Sequence, residues 1–112
     1  MGKVRNILKE LMQSIGIKEN VKLRIVPMKY KIASFSFHTN TLRLNKKVTQ
    51  ILNSEEVRYI LIHELIHVKT KSVNHGEFFQ KELEKYYSAK EAQKLEEQII
   101  EKLWKKLFNF LW

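Results

Sequence analysis

His63, Glu64 and His67 are the residues whose types and spacing could do chemistry: two imidazoles four positions apart, with a carboxylate beside the first. On an α-helix, positions i and i+4 share a face, so both rings can aim a nitrogen at one point. Glu64 projects about 100° round the axis, which sets its carboxylate beside a water that an ion would activate rather than on the ion itself. This HExxH pattern supports metal-assisted hydrolysis, with the histidines as ligands and the glutamate as general base.

A surface helix with polar residues facing water would give the same letters, but the neighbours argue against it. Ile60, Leu61, Ile62, Leu65, Ile66 and Val68 make the segment apolar nearly all round, so the helix should be central and buried. Three ionisable groups in such a place carry a large desolvation cost unless they are paired or bind a metal. The chain has four histidines, and His75 follows eight residues after His67. As a third ligand it would leave one position on the ion open to water, which distinguishes a catalytic from a closed structural site. Glu77 is the alternative third ligand, with Glu82 and Glu84 behind it. His38 reads as a turn residue.

With no cysteine, any zinc must take nitrogen and oxygen ligands, and no disulfide framework exists. At 112 residues the chain supports one modest core. The N-terminal stretch is amphipathic and carries no secretory signal. Asn6 stands where a myristoylation site wants Ser or Thr, and no run reaches the length of a membrane span. A soluble cytoplasmic protein is expected. The formal net charge of +9 is concentrated in residues 1–50, which hold eleven Lys and Arg against two Glu. Lysines scattered in this way serve solubility, and nucleic acid is not the expected partner.

The elements that must position the motif follow from periodicity. Val4, Ile7, Leu8, Leu11, Met12 and Ile15 predict a helix over 3–15, stopped by Gly16. Val21, Leu23 and Ile25 alternate with Lys22 and Arg24 as a strand that Pro27 ends, and a second strand is expected at 30–38. The turn His38-Thr39-Asn40-Thr41 joins it in a hairpin to Leu42-Arg43-Leu44-Asn45. One of these strands could be a sheet edge to which an extended peptide adds itself. Ser54 is the expected N-cap of the motif helix, which runs to about Thr70. Asn74 is the expected cap of a helix reaching Tyr87.

The resulting fold class is α+β, a small mixed or antiparallel three-stranded sheet on the motif helix. Residues 1–88 form the body and 89–112 a C-terminal amphipathic helix. Leu95, Ile99, Leu103 and Leu107 form its stripe, which Ile100, Trp104, Phe108 and Leu111 widen. Its first half is expected to complete the core. Its apolar end must be covered: by this chain's own cleft, by a second copy in a homodimer through residues 95–112, or by a membrane surface with Lys102, Lys105 and Lys106 at the headgroups.

The runs Ala33-Ser34-Phe35, Leu42-Arg43-Leu44-Asn45, Glu55 to His67 and Asn74-His75-Gly76-Glu77-Phe78-Phe79 together resemble the minigluzincins. These are small soluble metallopeptidases of thermophilic prokaryotes, similar to catalytic domains of integral-membrane peptidases of the HtpX type. The resemblance covers about residues 20–88. It implies zinc (Zn2+) on His63, His67 and His75, Glu64 as the base, a peptide or protein substrate, and a latent form in which the C-terminal segment blocks the cleft. Ala33, Ser34 and Phe35 are the candidate substrate-binding residues, and Tyr86 or Tyr87 a candidate oxyanion donor. The Asn-His-Gly-x-x-Phe run also resembles the SprT-like proteases that act near DNA. A zinc-stabilised interaction module without catalysis is the remaining alternative.

Overall fold

The computed structural model describes residues 2–29 and 31–107. The chain runs α1 (Gly2–Ile15), β1 (Lys22–Val26), β2 (Ala33–Ser36), β3 (Thr41–Asn45), α2 (Lys46–Ile51), α3 (Ser54–Thr70), α4 (Glu77–Glu84) and α5 (Ala89–Leu107). The fold is the expected α+β class. Val4, Leu8, Leu11 and Ile15 bury one face of α1, and Gly16 ends it at φ 82°, a left-handed conformation that glycine adopts without steric cost.

The sheet is mixed, in the order β1-β3-β2. β3 pairs in parallel with β1 and antiparallel with β2, so the hairpin around Asn40, at φ 51°, makes β2 an edge strand. Leu42 and Leu44 are fully buried. Their register partners Leu23 and Ile25 on β1, and Phe35 and Ala33 on β2, therefore share the inner face.

Against that face lies α3, whose Leu61, Leu65 and Ile66 are fully buried. Its N-cap is Asn53, not Ser54. Asn53 Oδ1 accepts from the Glu56 N–H and Glu56 Oε1 from the Asn53 N–H, both at 2.9 Å. Such a reciprocal box needs an acid three residues after the cap. Asn53 has one in Glu56, whereas Ser54 is followed at that distance by Val57. The short helix α2 was not expected from the sequence. Val48, Thr49 and Ile51 are poor helix formers, and the element depends on Asn45. That residue accepts from the Lys47 N–H and donates its amide to the carbonyls of Met28 at 3.0 Å and Lys31 at 2.9 Å.

α5 is part of the core. Ala92, Ile99 and Leu103 are buried, and Leu95 is partly so. Ile100 and Trp104, expected to widen this stripe, are instead 62% and 46% exposed, and Ile100 borders a hollow that it shares with Ile60 and Glu64 of α3. Polar links fasten α5 to α3, among them Lys102 Nζ to the fully buried Glu56 at 2.8 Å and the Tyr59 hydroxyl donating to Glu96. The side chains of Lys105, Lys106, Leu107, Phe108, Leu111 and Trp112 lie outside the described residues. Among those described, no helix is long and apolar enough to cross a membrane.

Candidate metal centre and cleft

His63 and His67 project from one face of α3, and the turn after the helix brings His75 to them. Lys71 adopts φ 54°, and its N–H and that of Ser72 bond back to the His67 carbonyl, reversing the chain. The Ser72 carbonyl then lies 2.8 Å from His67 Nδ1. Donation from Nδ1 leaves Nε2 with its lone pair, the tautomer a metal ligand requires. Asn74 does not cap α4. Its N–H bonds to Ser72 Oγ, and Gly76 is the cap residue, so the helix begins at Glu77 and His75 stays on the connecting segment. This shorter α4 ends at Glu84 rather than at Tyr87.

His75 Nε2 lies 3.0 Å from His67 Nε2 and 3.1 Å from His63 Nε2. Tetrahedral ligands about 2.05 Å from one zinc ion would stand roughly 3.3 Å apart. One nitrogen of His75 thus faces two others, and three imidazole lone pairs aimed at one place repel unless a cation lies between them. Among the described residues this is the one group of three or more His, Cys, Asp or Glu so arranged. The donor set suits a divalent ion such as zinc. Burial lowers the affinity of His63 for protons to a pKa of about 4, helped by charge repulsion from His67 and His75. Burial also lowers His67, against the opposing bond to Ser72. Near neutral pH these two rings are free of the protons that would compete with a metal.

Phe79 makes the floor. Its ring is buried and lies 4.8 to 4.9 Å, centroid to centroid, from all three imidazoles. Sequence reasoning assigned it no role, although His75 and Phe79 are four apart. Glu77 is paired with Lys81, and Glu82 with Lys69 and Lys85, so neither is in the histidine cluster. Glu84 lines a hollow of about 300 Å³ together with His63, His75 and Tyr87. Tyr87 stacks edge-on against Tyr59, at 5.2 Å between centroids. Tyr86 packs against the core and does not line that hollow.

Above the histidines, a cleft of about 300 Å³ is lined by Lys31, Ala33, Ser34, Phe35 and Glu64. Glu64 also borders a second, apolar hollow of about 280 Å³ between Ile32, Ile60 and Ile99. In the metal-free site burial pushes its carboxyl up to about 7, with Lys31 pulling the other way.

A model of the YgjP-like metallopeptidase domain matches residues 2–98. The chain belongs to this family. An uncharacterised protein of Methanocaldococcus jannaschii is 49% identical over 100 residues, covering 89% of this chain and 91% of the relative. The family member is also similar to the crystal structure of the M. jannaschii jannalysin zymogen, at 49% identity and a TM-score of 0.86, covering 89% of this chain and 96% of that one. The Pyrococcus abyssi abylysin zymogen is 38% identical with a TM-score of 0.83, covering 89% and 94%. Both are described as metallopeptidase zymogens, which bears out the resemblance to minigluzincins.

Proposed function

We propose that this YgjP-like metallopeptidase is a zinc-dependent endopeptidase held latent by its C-terminal segment. The convergence of three Nε2 atoms beside Glu64 carries the reading. Zinc held by His63, His67 and His75 would supply the charge that acidifies a water and polarises a peptide carbonyl.

The chain's own residues do the rest. An extended peptide adds to the free edge of β2. The Asn45 N–H donates to the Ile32 carbonyl at 3.0 Å, which fixes the phase of the antiparallel ladder. Main-chain groups on the β2 side then alternate, so those of Ala33 and Phe35 turn away from β3 toward the peptide. Glu64 takes the proton of the attacking water and returns it to the leaving amine. Ser72 and Phe79 hold the imidazoles in place. Tyr87, beside His63, is the better placed of the two tyrosines to meet a developing oxyanion. The Tyr59 proton is committed to Glu96, and burial followed by that carboxylate raises its pKa.

Among the described residues the buried core side chains of α5 run to Leu103, and the segment we assign to blocking is the one that follows. Exposed Ile100 and Trp104 give that segment an apolar approach, either in the same chain or from a second copy. The test is zinc content and casein cleavage for the full chain and for a chain ending at Leu107. Zinc in both, with cleavage rising at least tenfold on shortening, is the expected result. Zinc without cleavage in either would end the peptidase reading. A monomer by light scattering would place the block in cis.

A further inference from the structure

The outer face of the sheet carries a row that the proposed hydrolysis does not use. Arg24 of β1 is the register partner of Arg43 of β3, and Arg43 that of Ser34 on β2. Leu42 and Leu44 point inward and are fully buried, so Arg43 points outward. Two guanidinium groups on neighbouring strands repel, and among the described residues neither takes part in an ion pair. The row ends at the edge where substrate adds, and its last member is a small serine, which leaves room for the long side chain of Arg43 to cross.

A peptide paired with β2 presents alternate side chains to the two faces. The residue opposite Ala33 points inward, where the hollow between Ile32, Ile60 and Ile99, beside Glu64, takes an apolar side chain. Its neighbour, opposite Ser34, points outward into the arginine row. Strands lie about 4.8 Å apart, so the β3 and substrate backbones are separated by about 10 Å, a gap that an arginine and an aspartate or glutamate span between them. Arg24 behind Arg43 adds to the same positive field.

We infer that Arg43 is a specificity-determining residue, and that the cleft selects extended segments with an apolar residue opposite Ala33 and an acidic one opposite Ser34, the two flanking the scissile bond. This deepens the peptidase reading and rests on it. The preference is one exposed charge pair in size, counted once as attraction and once as repulsion. Glutamate should therefore be favoured over lysine at the outward position by about tenfold in kcat/KM.

The test uses quenched peptides that differ only at that position, with Glu, Gln or Lys, and the zinc-loaded chain both full length and ending at Leu107. The Glu preference should vanish in Arg43→Gln, turn toward Lys in Arg43→Glu, and survive Lys3→Gln, which removes an equal charge from α1. A Glu-to-Lys ratio near one in the unaltered chain, or one untouched by Arg43→Gln, overturns the inference. The same peptides are bound to zinc-loaded Glu64→Gln, with and without Arg43→Gln, and read by fluorescence anisotropy. If no peptide is cleaved, the catalytic reading fails, and anisotropy decides the role of Arg43: a Glu preference lost with Arg43 supports it, and equal binding of all three peptides refutes it.

Discussion

Two glutamates on α3, Glu56 and Glu64, are both withdrawn from water and differ in what surrounds them. Glu56 is fully buried, and one of its oxygens accepts from the Asn53 N–H and from Lys102 Nζ. Its other oxygen is buried without a hydrogen-bond partner among the described residues. It closes the capping box and ties α5 to α3. Glu64 borders two hollows, and among the described residues the diffuse field of Lys31 favours its charge. A buried carboxylate with a fixed cation and an amide partner is committed to structure. One left with open space in front of it and a raised pKa remains available for proton transfer.

Exchanging each glutamate for its amide tests the contrast. Glu64→Gln should retain zinc and lose about a thousandfold in peptide cleavage, measured on the chain ending at Leu107. Equal cleavage by that variant would remove the carboxylate from the mechanism. Glu56→Gln should do the reverse: unfolding free energy falls by about 2 kcal/mol, less than for a fully buried ion pair because Lys102 is half exposed, while zinc affinity of the folded protein holds. Denaturant titration with zinc present reads both.

Phe79→Leu keeps the ligands and removes their floor. Zinc affinity should drop by about tenfold, as when other groups that orient ligands are lost, and competition with a chelating dye measures it.

The smallest effect is on pH. In metal-free protein, His63 falls from its ordinary 6.5 to about 4, so its contribution to stability is present above pH 6.5 and is lost as pH falls toward 4. Glu64 rises from 4.5 to about 7, so its contribution is present below pH 4.5 and is lost as pH rises toward 7. Between pH 4.5 and 6.5 the two oppose each other. Thermal unfolding in EDTA should therefore vary little over that window in the unaltered chain, and Glu64→Gln should lose several degrees on acidification. Parallel curves for the two proteins would refute the assignment.

Much of this was legible because it is local. The i, i+4 histidines, the apolar flanks of α3, the hairpin and the glycine stop of α1 are written in short spacings. His75 was legible as a candidate, since a brief polar break lets it return toward the helix end, but the same break left Glu77 open beside it. What escaped was long-range. Asn45 caps α2 while binding two carbonyls far back in sequence, and no window that scores helix formers registers that. Ser54 looked like a cap until Asn53 and Glu56 were read as a pair. Tyr59 meets Glu96 across 37 positions, a pairing that exists only once α5 has docked. That docking also left Ile100 and Trp104 largely exposed, although the helical stripe alone grouped them with its apolar residues.

Asn45 has a consequence for how the molecule ages. Its amide nitrogen holds the segment that carries Lys31 into the cleft. Slow loss of ammonia on prolonged heating would replace that nitrogen by an oxygen facing two carbonyls, turning attraction into repulsion while leaving the three imidazoles untouched. Heated samples gaining one dalton at this residue should still hold zinc and should lose their grip on peptide first.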